Sequence, residues 1–361
     1  MSKGSTWSVE ITETRDAETG ALIRQMTDGP AMSHSLYFSI PSWTPDGEAM
    51  ILTSYRSGEA NLFKLDEAAG HMVQLTDAHG FDGLAVCPSR DAGRVFYNVA
   101  GEVRAVDLRT LEETVLASFA GGSRVGMCSL SADGGRLVTG LARDGRSALV
   151  AIETDGSGHT VVCEPPRDVG HAMVCPADRD LILYTSDVNQ RMWLAAVGRG
   201  EIGPLHRHDK REWITHESFL GASDQVIFAR WPFALMAIGV EDEEARVVAD
   251  VNAWHPSGNA SGSLIVCDTT CPDIGLRLID PATGEHRPLC HPQSSNGGTQ
   301  WAFTEPADDD AVEESTYGPQ FGHPHPSFHP DGTRVVYTSD HTGTSQVYVV
   351  EIPGDLLSPR A

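Results

Sequence analysis

The chain has 361 residues, 40% of them hydrophobic, which is ample for a large core. Its 26 basic residues against 50 acidic ones give a formal charge of −24, which argues against nucleic acid or an anionic membrane as partner. No apolar run approaches the ~18 residues of a membrane span, and no signal-like apolar segment follows the start, so neither a span nor a leader is expected.

Taken in order, the chain repeats one pattern. A short apolar strand meets a turn rich in Pro, Asp, Ser and Gly, and a second β-branched strand follows. The copies fall at 42–55, 86–99, 128–141, 174–187, 218–231, 258–270 and 327–340. Their Asp-Gly and Ser-Gly steps supply the positive φ of tight hairpins. Most copies carry a second hairpin downstream, as at 60–76, 101–117, 147–163 and 275–290. Four strands per unit at a pitch of ~40–45 residues predict an all-β, seven-bladed β-propeller with four-stranded antiparallel blades. No stretch holds a helical period. A strand around 7–13 or 21–27 is expected to complete the last blade and close the ring. The sixth and seventh copies begin about 69 residues apart, too far for one blade, so an insertion is expected around 301–322. One domain is expected over 1–361. The seven cysteines (87, 128, 163, 175, 267, 271, 290) form no C-x-x-C pair and read as small core residues, consistent with a reducing cytoplasm.

The chemistry concentrates in the run from Gln320 through His323 and His325 to Asp331. In an extended backbone residues two apart share a face, so His323 and His325 can reach one point. Pro324 and Pro326 place the run at a strand edge. Gln320 precedes Gly322, which permits a bend, and its amide oxygen can swing to the same point. Imidazole nitrogens with an amide oxygen and no thiolate suit Mn, Fe, Co or Zn.

Several stretches resemble the oligogalacturonate lyase family over nearly the whole chain. They are HPHPSFHPDGTRVVYTSDHTG (323–343), THES (215–218), QRMWL (190–194) and HSLYF (34–38). The resemblance implies a manganese site, or one for another divalent transition metal, built from His255, Gln320, His323 and His325. It further implies that His216 is the base and that Arg191 meets the substrate carboxylate, with a short oligouronide as substrate and cytoplasmic pectin breakdown as the setting. His34, Tyr37 and His171 are expected to face the funnel and touch substrate. Tyr37, Tyr55 and His171 are candidates to protonate the leaving oxygen. The family has Arg after the first-blade histidine where this chain has Ser35, and the 301–322 segment is longer here. Both departures touch recognition of the sugar more than the elimination. A lyase for another uronate-containing oligosaccharide and a non-catalytic TolB-like binding propeller are the alternatives. His206, His208, His329 and His341 are read as exposed loop residues, and Trp43, Phe96, Tyr184, Phe228 and Tyr337 as core.

Overall fold

The computed structural model describes residues 2–187, 189–209, 211–296 and 320–357, Gln320 by its backbone alone. Their strands form seven antiparallel sheets of four or five strands, one for each hairpin copy in the sequence. The first strands of successive sheets contact one another, as Trp213–Phe219 does Ser257–Gly258 and Ser257–Gly258 does Ser327–Phe328. They therefore line the axis of a seven-bladed propeller. The second strands are largely covered on both faces, as in Met50–Ser54, where every residue is buried, the polar Thr53 and Ser54 included. The five aromatic positions read as core are all 3% exposed or less.

The N-terminal segment is shared between two blades. Leu22–Gln25 pairs with Gln346–Glu351 and carries Thr12–Arg15 outside it, so the stretch at 21–27 completes the last blade. Thr6–Ser8 instead pairs with His71–Gln74 as a fifth strand of the first blade. The apolar residues Met26, Val347 and Val349 seal this junction at 1% exposure or less. Across it, Arg24 bridges Glu13, Glu67 and Glu351, and Arg334 reaches Glu67. Each pair is part-exposed and worth little alone; together they tie both chain ends to the first blade.

The inner strand of the first blade departs from expectation. It starts at Ser33–His34 and resumes only at Trp43, which bridges Met50. Residues 35–42 leave the sheet and project into the axial channel, carrying Tyr37 and Phe38. Of the four histidines expected to be exposed in loops, His341 is exposed, while His206 and His208 are half-buried and His329 is buried. His329 is only 7% exposed, because its turn packs onto the first blade: its ring lies 4.9 Å from Trp43, and Arg334 and Asp331 bond its nitrogens at 2.8 Å. The insertion expected around 301–322 lies outside the described residues except for a 3-10 turn, Gln320–Gly322. Among the described residues no helix is long and apolar enough to cross a membrane.

Candidate metal centre and active site

His171, His216 and His325 all have positive φ, at 38°, 54° and 43°. Such a backbone is uncommon for a residue with a Cβ, and it concentrates at functional sites. Two of the three sit at irregularities in inner-strand pairing, between Gly170 and Met173 and between Thr215 and Ser218. A bulge re-aims side chains, here toward the axis. Gly140 assists at the first of these. Any side chain there would collide with the Val169 carbonyl, so its absence lets the chain leading to His171 run close against the third blade.

His255, His323 and His325 are 0%, 0% and 2% exposed, and one nitrogen from each lies within 4.8 Å of the others. His255 enters from the sixth blade. Its backbone N–H donates to Asp268 Oδ1 at 2.7 Å, and its Nδ1 lies 2.8 Å from Asp268 Oδ2. An ionised carboxylate only accepts, so Nδ1 carries the proton and Nε2 keeps its lone pair. His323 and His325 come from the Pro-rich run, which the Thr338 N–H anchors by donating to the Pro324 carbonyl at 2.8 Å. The Nε2 atoms of His255 and His325 are buried without a hydrogen-bond partner among the described residues. Leaving two such acceptors unsatisfied is costly, and a cation at the convergence point would satisfy both. Burial, reinforced by neighbouring imidazoles, holds His255 and His325 well below the usual histidine range, so both are neutral and competent as ligands. Burial raises the Asp268 carboxyl to about 7 and the His255 backbone N–H opposes that rise, so the ionised form that accepts from both His255 groups is the one present above about pH 7. The donor set suits a divalent transition ion. Gln320 lies in the turn directly before His323, and its side chain falls outside the described residues.

His216 is 6% exposed, its ring centre 4.2 Å from that of His255 and 4.3 Å from that of Trp254. Its Nδ1 is buried without a hydrogen-bond partner among the described residues. Burial first, and then the neighbouring His255 and Arg191, push it well below the usual range. The next residue, the fully buried Glu217, receives Arg191 Nε at 2.9 Å and a second guanidinium nitrogen at 3.5 Å. The Arg191 backbone N–H donates to His208 Nε2 at 3.2 Å. Arg191 is thus held by a carboxylate of the same bulged strand that carries His216, a pairing the sequence did not reveal.

Tyr37 lies against the cluster, its ring 4.9 Å from His325 and 5.4 Å from His171. Phe38, missed by the sequence reading, stands 5.2 Å from His255 and 5.7 Å from His216. The excursion that carries both is fixed by Ser35 N–H to Thr338 Oγ1 (3.0 Å) and Leu36 N–H to Ser42 Oγ (2.9 Å). Burial, with Arg191 nearby, lowers His171 to about 4. His34 sits on the first-blade flank. Its Nδ1 bonds the Ser35 carbonyl at 2.9 Å and its ring lies 6.3 Å from Tyr55. Asp268 is the other residue missed. Its only signal was an acid closing an otherwise apolar strand, Ile265-Val-Cys-Asp268.

The chain and its propeller fold have counterparts among known proteins. Over 98% of its length the chain is 23% identical to an oligogalacturonide lyase of Pectobacterium atrosepticum, covering 99% of that protein. An oligogalacturonate lyase of Dickeya dadantii is 22% identical, over 98% of this chain and 99% of the relative. Among solved structures, an oligogalacturonate lyase in complex with manganese superposes with a TM-score of 0.86 at 23% identity, over 99% of this chain and 100% of that one. One from Vibrio parahaemolyticus gives 0.83 at 21% identity, over 98% and 100%. Residues 134–356, which carry the metal histidines, His216 and Arg191, match the family model described as oligogalacturonate lyase, and the chain belongs to that family.

Proposed function

We propose that the protein is a manganese-dependent lyase that cleaves short oligogalacturonides, digalacturonate or its unsaturated form, by β-elimination. The observation that carries this reading is the convergence of three buried imidazoles, with a fourth, His216, packed 4.2 Å from one of them. The names of the relatives supply the substrate class, and a manganese complex of one of them supplies the metal.

In this proposal His255, His323 and His325 hold the cation, with Gln320 as the fourth ligand. When bound, the cation supplies Lewis-acid stabilisation of the uronate carboxylate, a contribution of several kcal/mol. The chain's own residues do the remaining work. His216 is neutral at pH 7 and takes the C5 proton, a role worth roughly 10²–10⁴-fold. The C5–H electrons form the C4=C5 double bond, and the C4–O bond breaks toward the leaving sugar, whose oxygen takes its proton from one of the candidate donors Tyr37, Tyr55 and His171. Charge that builds on the substrate carboxylate as C5–H breaks is met by Arg191, which Glu217 keeps in place. Tyr37 and His171 border the imidazoles and contact the sugar, with His34 further out. Tyr37 and Phe38 fill the channel beside the rings and shield them from water.

The test is direct. Digalacturonate and trigalacturonate are added with manganese, and the ultraviolet absorbance of the conjugated 4,5-unsaturated uronate is followed. Absorbance should rise with manganese and not with a chelator present. A flat trace with both galacturonides would refute the assignment, and turnover of a different uronide would confine the error to the sugar.

A further inference from the structure

We propose that Asp268 is the positioning residue of the metal centre: by taking both the backbone N–H and the Nδ1–H of His255, it fixes that ring with Nε2 aimed at the point shared with His323 and His325. The inference rests on reading those three histidines as ligands of the cation.

A histidine at the end of a short strand has two freedoms that would spoil a ligand set. The ring can turn over, exchanging its two nitrogens, and the proton can sit on either one. Asp268 removes both. It grips the residue twice, at the main chain through Oδ1 (2.7 Å) and at the ring through Oδ2 (2.8 Å), so main chain and imidazole cannot move independently. The carboxylate is itself held by the blade. The Trp254 N–H donates to the Asp268 carbonyl at 3.0 Å, and Ala253 bridges Thr269, extending the inner hairpin of the sixth blade past its regular strands. His255 and Asp268 are 0% and 1% exposed, so bulk water does not compete for either bond. A carboxylate behind a ligating imidazole also raises the basicity of the ligating nitrogen, and losing such a partner typically costs 10–100-fold in metal affinity.

Asp268→Asn keeps the shape but removes the charge and turns one acceptor into a donor, so it cannot accept both N–H groups. Asp268→Ala removes the grip altogether. Two measurements on the full-length chain decide the matter: calorimetric titration with manganese chloride, and spectra of ¹⁵N-histidine-labelled, metal-free protein, which read the His255 tautomer. The expected result is affinity about tenfold weaker in Asp268→Asn and up to about 100-fold weaker in Asp268→Ala. The Nδ1–H tautomer of His255 should be present in the unsubstituted protein and lost in both variants, with unchanged far-ultraviolet circular dichroism. Wild-type affinity and tautomer in Asp268→Asn would overturn the proposal, and that variant decides it should Asp268→Ala fail to fold. If the unsubstituted protein binds no manganese, the ligand reading fails instead, and the tautomer spectra alone then decide whether Asp268 orients the ring.

Discussion

Replacing His216 by Ala should abolish measurable elimination while leaving manganese bound. Its ring packs 4.2 Å from His255, yet it contributes no nitrogen to the three-histidine group. The cation should therefore keep its ligands when the imidazole is removed. Loss of a general base costs roughly 10²–10⁴-fold in turnover, and the fall should lie in kcat, with KM little changed, because binding contacts remain. The backbone complicates a single variant. Residue 216 has a φ of 54°, which alanine tolerates poorly. His216→Asn is the companion, since asparagine accepts the left-handed region and cannot act as a base at neutral pH. Both variants should give the same loss in the absorbance assay with wild-type manganese content. Substantial turnover in His216→Asn would remove the residue as the base.

His325→Ala should cost both the metal and the reaction. Two of three imidazole ligands cannot hold the ion as three do, and the loss of affinity should exceed the 10–100-fold typical of an outer-shell partner. The companion expectation concerns the fold. The His325 Nε2 is buried without a partner among the described residues, a state that costs the metal-free protein about 1–3 kcal/mol. Deleting the ring removes that penalty as it opens a small cavity, so the two changes offset. What remains is the strain of alanine at a φ of 43°, so the metal-free variant should melt slightly below the metal-free parent, and the manganese-dependent rise in Tm expected of the parent should vanish. A variant that still gains stability from manganese would show that His325 is not a ligand.

The sequence made the blades legible because each carries its own turn chemistry, so seven hairpins could be counted without any long-range contact. The metal run was legible for a similar local reason, two histidines one residue apart among prolines, but His325 has a left-handed φ of 43° and not the extended backbone expected of it. What escaped depends on pairing between distant residues. Asp268 lies 13 positions from the histidine it holds, and only strand register brings them face to face. Arg191 and Glu217 belong to neighbouring blades, so their ion pair has no footprint in either segment. The excursion at 35–42 looked like ordinary approach to a strand, because its length means nothing until His34 is seen opposite Thr53 and Trp43 opposite Met50. His329 was misread because its turn chemistry resembles that of exposed turns elsewhere, while the surface covering it belongs to the first blade, nearly 300 residues earlier.

In the proposed site one cation sits where His255, His323 and His325 converge. Anomalous diffraction near the manganese edge, from crystals grown with manganese, tests it most directly. A single strong peak is expected within bonding distance of the His255 and His325 Nε2 atoms and of a His323 nitrogen. A peak elsewhere in the propeller, or none at full manganese loading, would contradict it.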